Sequence, residues 1–395
     1  MTRVFLSMLA LNVALGAGVE ARGRIKLVTL PVRERVEIQL DHERATLVEE
    51  ERIVPLVQGL NQVDFSWANT AIDPETIVFR VAGEDDKGLD PRVLAVSYPP
   101  DEQALVWTVA SRGSGGARVR ISYILGGLTR SFSYRAVAAR DERTLELAQY
   151  MKINNAANET FGVSRIWAGF GRQFLRPIGL NEQREVQMER FVDVPVRKTY
   201  TCDVVEFGYL DRPQNKLRVP MHYVLLNSRE AGLGRAALPG GKVRVFQDDG
   251  RGGRAFIGED WGRHTPLDDE LRLFVGVAQD VVVKRTVDRN TRKTRSGNLY
   301  DLDVVLKYEI ENFKNSPVTL DIVEDVNALL TELMGQQPRE AEWELGDETT
   351  FPGGADAQGT GSGRVLLHAP LPPREDAGAV EKVVHRLHLR IRNLW

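Results

Sequence analysis

Apolar and polar residues alternate with a period of two along much of this 395-residue chain. In residues 76–81, 117–125, 130–137 and 143–153, β-branched, aromatic and other apolar side chains recur at every second position. Because successive side chains of a strand point to opposite faces, this alternation is typical of strands with one buried face. Gly-rich clusters such as residues 113–116 separate the segments at spacings that suit hairpins and longer β connections.

A single segment has the convincing periodicity of a helix. Residues 327–336 place Leu329, Leu330 and Leu333 on one side of a helix, and Gly335 supplies a stop signal. Many strands with very little helix predict an all-β protein with two or more antiparallel β-sandwich-like domains.

The chain divides into three predicted parts. Residues 1–21 have the pattern of a secretory signal peptide, with a basic start, an apolar stretch over residues 4–18 and a small-residue cleavage site. A retained anchor or an apolar strand stays an alternative, although the stretch is shorter than the ~20 residues of a spanning helix. We expect an N-terminal β domain over residues 22–140 and a C-terminal β-sandwich region over residues 141–395.

Charge and cysteine content narrow the classes of partner. The 52 basic and 55 acidic side chains are interspersed and leave a net charge of −3, which argues against a nucleic-acid partner. The single cysteine, Cys202, cannot form an internal disulfide, and we expect it to be a small core residue. Together with the signal pattern of residues 1–21, the sequence predicts an exported protein of the periplasm, outer envelope or cell surface. We expect no integral membrane span in the mature chain.

Residues 227–324 contain a GLG turn, an ALPGGKVRVF strand, a GED turn and a YEIEN strand, in this order. This order resembles the mucoidy-inhibitor-A-like proteins, a family catalogued as domain of unknown function 4139. The resemblance extends back to residues 121–134 and 36–81. It implies a β fold, and it brings no activity, cofactor or catalytic residue to particular positions of this chain.

The sequence predicts no catalytic, cofactor-binding or metal-ligating residue. The chain has no G-x-S-x-G elbow, no H-E-x-x-H pair and no Cys–His signature. His385 and His388, three residues apart on a predicted strand, would point to opposite faces and could not hold one ion together. Acidic residues at 84–86 and 248–249 could hold calcium, but Asp-Gly is the preferred hairpin dipeptide, so residues 248–253 are predicted to form a turn.

Residues 284–295 form a basic run that interrupts the even charge distribution. On a hairpin, the run would present its cations to an anionic polysaccharide, to lipid headgroups or to an acidic neighbour. A solvated hairpin that keeps strand edges from aggregating is an equally good interpretation. The run contains no aromatic residue for stacking bases, unlike most nucleic-acid platforms. The candidate anion-binding residues are Lys284, Arg285, Arg289, Arg292, Lys293 and Arg295.

Taken together, these patterns predict a non-enzymatic structural or interaction protein that binds itself or another envelope protein. Strand edges such as the last predicted strand, residues 383–395, would be the sites of self-assembly. We expect Trp395 to anchor that strand onto a core. The other tryptophans are expected to pack in cores or loops rather than to form a carbohydrate platform, namely Trp67, Trp107, Trp167, Trp261 and Trp343.

Two alternatives stay open. One is an envelope binding module for an anionic polysaccharide that uses the basic run. The other is a hydrolase whose carboxylates converge only in three dimensions, which would show as a pocket that holds two of them with perturbed pKa values. The candidates for that pocket are Glu259, Asp260, Asp268, Asp269 and Glu324.

Overall fold

The fold consists of two compact units, Met1–Arg130 with Ile153–Gln183, and Ser131–Lys152 with Arg184–Trp395. The predicted signal segment 1–21 and the acidic residues 84–86 lie outside the residues that the structure describes. The computed structural model describes residues 26–42, 45–82, 88–169, 172–203, 205, 216–335, 341–352, 355–358, 363–374 and 380–395.

Twenty-six strands make up most of the described chain. The first thirteen are β1 Lys26–Thr29, β2 Arg35–Gln39, β3 Thr46–Leu56, β4 Gly59–Ser66, β5 Val78–Val81, β6 Arg92–Ser97, β7 Ala104–Ser111, β8 Gly115–Leu125, β9 Leu128–Ala138, β10 Thr144–Asn155, β11 Phe161–Gly169, β12 Arg172–Ile178 and β13 Gln183–Pro195. The others are β14 Arg197–Asp203, β15 Lys216–Leu217, β16 Pro220–Leu226, β17 Gly241–Asp248, β18 Arg254–Gly262, β19 Glu270–Val277, β20 Val281–Ser296, β21 Leu299–Asn312, β22 Val318–Asp325, β23 Glu342–Leu345, β24 Ala355–Gln358, β25 Arg364–Leu371 and β26 Lys382–Leu394.

Helix is confined to two short elements in the described ranges, the 3-10 turn Pro74–Thr76 and α1, Val326–Met334. The Asp325 carboxylate caps α1 by accepting the backbone N–H of Ala328 at 2.9 Å, and Gly335 ends it with a left-handed φ of 77°. The helix predicted over residues 327–336 is therefore confirmed. Its nine residues fall short of a bilayer crossing, and no other described helix reaches that length.

The first unit is a sandwich of two sheets, ordered β1-β4-β7-β6 and β12-β11-β2-β3-β8-β5. Aromatic rings from the two sheets meet in its core. Phe65 of β4 lies 5.9 Å from Tyr123 of β8, and Trp107 of β7 lies 4.7 Å from Phe79 of β5. These tilted contacts join the buried faces that the alternation predicts.

The second unit holds three sheets, ordered β13-β10-β9-β17-β18, β19-β16-β14-β22-β25-β24 and β15-β20-β21-β26-β23. One apolar core lies between the six-stranded sheet and the sheet of β20, β21 and β26, and includes Cys202, Leu306 and Ile322. A second core includes Val243 of β17 and Leu273 of β19. Cys202 is thus the buried core residue that the sequence predicts.

The prediction of an all-β fold is confirmed, but the pairing is not uniformly antiparallel. Four sheets contain one parallel pair each among the described registers, namely β1 with β4, β2 with β11, β14 with β22 and β9 with β17. These neighbours come from separate parts of the chain, so no hairpin turn imposes an antiparallel direction on them. The predicted domain boundary at residues 140 and 141 lies within the second unit, in the turn between β9 and β10.

The last strand differs from its prediction in two respects. β26 pairs with β21 on one side and β23 on the other, so it is not a free edge. Trp395 is 68% exposed, whereas Leu394 is buried, so the leucine rather than the tryptophan anchors the strand end. His385 lies opposite Tyr308 and His388 opposite Val305, which places the two imidazoles on opposite faces as predicted.

Candidate functional site

A cleft of about 550 Å³ lies in the second unit, where β16, β18 and β19 meet the turn formed by residues 263–269. Its charged lining comprises three carboxylates and two guanidinium groups, Asp260, Asp269, Glu270, Arg263 and Arg272. The cleft is also lined by the imidazoles of His222 and His264, the rings of Trp261 and Phe274, and the side chains of Thr265 and Leu271.

Asn227, a fully buried residue after β16, holds the turns beside the cleft. Its side-chain amide donates to the carbonyl oxygens of Ala236, Thr265 and Pro266 at 3.1, 3.2 and 2.9 Å. Its side-chain oxygen accepts the backbone N–H of Gly234 at 3.0 Å. Since buried backbone groups need partners, one asparagine joins the GLG turn to the turn that lines the cleft.

At two positions in residues 227–324, neighbouring backbone atoms leave no room for a side chain larger than that of glycine. Gly234 has a φ of 67°, and a Cβ there would lie 2.3 Å from the backbone nitrogen of Arg229. At Gly241, the first residue of β17, a Cβ would lie 2.3 Å from the carbonyl oxygen of Phe132 on the paired strand β9. Only glycine fits both positions, which gives the GLG and GGKVRVF pattern a structural cause.

The GED segment, residues 258–260, lies within strand β18, so the turn predicted there is wrong. Its last residue, Asp260, orients the backbone of the cleft. Its Oδ1 accepts the backbone N–H of Trp261 at 2.8 Å, and its Oδ2 accepts that of Phe274 in β19 at 2.7 Å. One carboxylate thereby connects β18 to β19 and sets the backbone from which both aromatic rings project.

His222 is a buried imidazole in the apolar strand β16, where it pairs across the sheet with Phe274. Its Nδ1 lies 3.4 Å from Nη2 of Arg272. Because a guanidinium only donates, Nδ1 accepts and the proton of the neutral ring lies on Nε2. Burial first, and then the charge of Arg272, lower the pKa of His222 to about 4, so the imidazole is neutral at neutral pH.

The other polar groups of the cleft are also held in place. Glu270 forms an ion pair with Arg197 at 2.8 Å, and Oδ1 of Asp269 accepts the backbone N–H of Glu270 at 2.8 Å. Arg272 donates to Oγ1 of Thr201 at 3.2 Å. Acidic and basic groups are thus interleaved, so the cleft has no uniform charge.

The carboxylates that the hydrolase alternative names do not all come together. Asp260 and Asp269 line the cleft, whereas Glu259 forms ion pairs with Lys242 at 2.7 Å and Arg244 at 3.1 Å. Glu324 lies in the buried face of the sheet formed by β14, β22 and β25. The cleft therefore offers two of the named carboxylates, and Asp260 already accepts two backbone N–H groups.

The basic run, residues 284–295, lies within strand β20 rather than in a loop. The turn of the β20–β21 hairpin comes later, at Gly297. Arg285, one of the six candidate anion-binding residues, is directed inward. It donates to both oxygens of Glu324 at 2.8 and 3.0 Å and to Glu332 at 2.9 Å, and the Tyr308 hydroxyl donates to Glu324 at 2.5 Å.

The other five candidates also have partners within the chain. Their partners are carboxylates of β21, the carboxylate of Glu348 or an aromatic ring. The contacts are Lys284 to Glu309 at 3.9 Å, Arg289 to Asp303 at 2.9 Å and Glu348 at 2.7 Å, Arg292 over the Tyr300 ring at 3.7 Å, Lys293 to Asp303 at 3.5 Å, and Arg295 to Asp301 at 2.6 Å. A surface anion would have to compete with these partners.

Sequence reasoning misses the cleft because its groups come from separated segments. The one local signal is His222, a polar residue in the otherwise apolar segment PMHYVLL. Asp260 and His264 belong to the GED and HTP segments, whose residues are ordinary turn formers when the sequence is considered alone, although GED lies in strand β18.

The acidic turn at residues 248–253 forms the predicted hairpin between β17 and β18. Oδ1 of Asp249 accepts the backbone N–H groups of Arg251 and Gly253, both at 2.8 Å. Among the residues that the structure describes, no group of three His, Cys, Asp or Glu side chains has the spacing for a metal ion.

No protein-family model matches the chain, and a search of the curated proteins finds no match to it.

Proposed function

We propose that this protein is an exported, non-enzymatic structural or interaction protein of the cell envelope, and that it associates with a second copy of itself through strand β6. The observation that supports this proposal is the exposure of β6. All six of its residues are exposed, with Leu94 at 59% and Val96 at 45%, and Tyr98 directly after the strand is exposed as well.

β6 ends its sheet in the described part of the chain, so its outer N–H and C=O groups face away from β7. Most natural edge strands carry charges or proline that discourage pairing. In β6 the one charged residue is Arg92, which forms an ion pair with Asp90 at 2.9 Å. A register shift between Val93 and Ala95 is the remaining irregularity. An apolar, nearly uncharged edge strand favours the addition of another strand.

A second copy is the partner that this edge fits best. Two β6 strands related by a two-fold axis would pair antiparallel and continue a four-stranded sheet into the partner's sheet. With the axis between Leu94 and Ala95, Val93 of one copy would lie opposite Val96 of the other, and Leu94 opposite Ala95. No charge of one copy would oppose a like charge at the centre, because Arg92 lies at the strand end.

Two parts of the proposal rest on the sequence alone. Export is supported by the signal-like pattern of residues 1–21, and membership of the mucoidy-inhibitor-A-like family by the order of motifs in residues 227–324. Asn227 is buried, and Gly234 and Gly241 lie where a side chain would clash with neighbouring backbone. These packing roles account for the residues of the motifs without a catalytic role.

The proposal is tested by the mass of the purified protein in solution, measured by light scattering over a range of concentrations. We expect a dimer that dissociates on dilution and a Val96→Lys variant that stays monomeric, because lysine on an edge strand opposes pairing. The matched control is Val163→Lys, since Val163 is 71% exposed on β11, an internal strand of its sheet.

A monomer at every concentration would contradict the proposal. So would a Val96→Lys variant that keeps the dimer mass. Mass spectrometry of material released gently from the envelope separates the remaining case, in which another envelope protein travels with the chain in place of a second copy.

A further inference from the structure

The cleft beside β16, β18 and β19 presents hydrogen-bond donors and acceptors side by side. Arg263 and Arg272 only donate, and the carboxylates of Asp269 and Glu270 only accept. A ligand that both donates and accepts at neighbouring atoms matches this lining. Vicinal hydroxyl groups have that property, and neither a simple anion nor a simple cation has it.

The charge balance of the cleft also opposes a charged ligand. Three carboxylates and two guanidinium groups line it together. Any net charge on a ligand would approach groups of its own sign at close range, at a cost in free energy. An uncharged polar molecule meets no such repulsion.

An aromatic ring at the edge of the cleft supplies the second element of recognition. Trp261 is 63% exposed, although a tryptophan is among the side chains that gain most from burial. The face of an indole ring is electron-rich and attracts the weakly positive C–H groups of a saturated ring. A sugar ring offers such C–H groups on one face and hydroxyls around its rim.

The site is organised before any ligand arrives. Asp260 holds the backbone nitrogens of Trp261 and Phe274 at 2.8 and 2.7 Å, and Asn227 holds the turn that carries His264 and Thr265. A pre-formed site loses less conformational entropy on binding. The volume of about 550 Å³ falls within the usual range for small-molecule sites.

We propose that this cleft binds an uncharged saccharide unit of a glycan, with Trp261 as the stacking platform and the polar groups of β16 and β19 as hydrogen-bond partners for its hydroxyls. The site lies in the second unit and uses none of the residues of β6. The proposal is therefore independent of self-association, and either one can fail alone.

The test titrates the purified protein with a panel of uncharged oligosaccharides: cellotetraose, maltotetraose, mannotetraose and chitotetraose. Calorimetry gives the affinity, and oligogalacturonate serves as the charged comparison. We expect at least one uncharged oligosaccharide to bind with an affinity that changes less than about twofold between low and high salt, because no net charge is neutralised.

Variants of Trp261 connect the binding to the cleft. We expect Trp261→Ala to weaken binding at least about tenfold and Trp261→Phe to retain part of it, because an aromatic face remains. The matched control is Trp395→Ala, which removes a tryptophan of similar exposure that directly follows β26 and does not line the cleft. Since both rings are exposed, thermal unfolding midpoints close to that of the unaltered protein will show that the variants fold.

Three outcomes would overturn the proposal. The first is binding of none of the four uncharged oligosaccharides. The second is equal loss of affinity in Trp261→Ala and Trp395→Ala, or no loss in either. The third is binding of oligogalacturonate alone, with an affinity that falls as salt rises, which would identify an anion site instead.

Discussion

The basic run on β20 and the cleft beside β16, β18 and β19 are opposite kinds of candidate site within one unit. The run gathers six cations in twelve consecutive residues, and each one contacts a carboxylate or an aromatic ring of the same chain. The cleft draws its groups from residues as far apart as His222 and Phe274. A run of like charges in the sequence therefore does not by itself identify a binding site. A binding site depends on which side chains the fold places next to one another.

The neighbouring strand explains why the basic run is neutralised. β21 carries Asp301, Asp303 and Glu309, and its register places Asp301 opposite Lys293 and Glu309 opposite Lys284. Opposite charges on directly paired strands stabilise a sheet, so the cations of β20 stabilise the β20–β21 hairpin through the carboxylates of β21. The sequence NLYDLDVVLKYEIEN already contains these carboxylates, and they become informative once the hairpin register is considered.

The largest expected effect separates the one inward member of the run from the outward ones. Arg285→Ala leaves the buried Glu324 carboxylate without its cationic partner and with the Tyr308 hydroxyl as its remaining donor, so we expect the free energy of unfolding to fall by about 3 to 5 kcal/mol. Arg295→Ala removes an exposed pair and should cost less than about 1 kcal/mol. Urea unfolding of both variants measures the difference. A similar cost for both would mean that the run behaves as one uniform surface.

The second prediction concerns His222 in the cleft. Its pKa of about 4 in the folded protein lies below the ordinary value of about 6.5. Between these two values the unfolded chain binds more protons than the folded one, so the free energy of unfolding falls as the pH is lowered through this window. Arg272 opposes protonation of the ring and Asp260 favours it. We expect a loss of roughly 2 kcal/mol from this residue, after allowance for solvent screening.

Urea unfolding at several pH values between 7 and 4 measures that loss. We expect the free energy of unfolding of His222→Gln to fall less between pH 7 and pH 4 than that of the unaltered protein, since glutamine does not titrate. This comparison holds whatever the stability of the variant at pH 7. An identical pH dependence in the variant and the unaltered protein would show that His222 titrates normally. In that case the cleft would be as well solvated as the exposed part of the basic run.

Local patterns in the sequence predict elements better than they predict neighbours. Alternation over residues 117–125 corresponds to β8, Gly115–Leu125, and the leucine spacing near residue 330 corresponds to α1. The free edge predicted for the last strand is wrong because β23, a four-residue strand from a distant segment, pairs with β26. Strand pairing depends on long-range packing, which a period of two does not encode.

The same limit applies to the cleft. His222 is detectable as a polar residue in an apolar strand, but its contact with Arg272 follows from the register of β16 with β19. Trp261 is exposed beside the approach of β18 to β19, where Asp260 accepts the backbone N–H of Phe274 across the two strands. Neither fact is present in the spacing of residues along the chain.

The smallest expected effect tests whether the outward part of the basic run binds anions. Replacing Arg292, Lys293 and Arg295 by serine removes the ion pairs of Lys293 with Asp303 and of Arg295 with Asp301, while Arg289 still pairs with Asp303. We expect less than about a twofold change in the affinity for dextran sulfate. The reason is that the anion must displace carboxylates that are already paired at short range, and exposed pairs contribute little net free energy. A loss of tenfold or more, together with weaker salt dependence, would show that these pairs open for a ligand. The anionic-polysaccharide alternative would then take precedence, and the difference between the two regions would lie in the type of ligand.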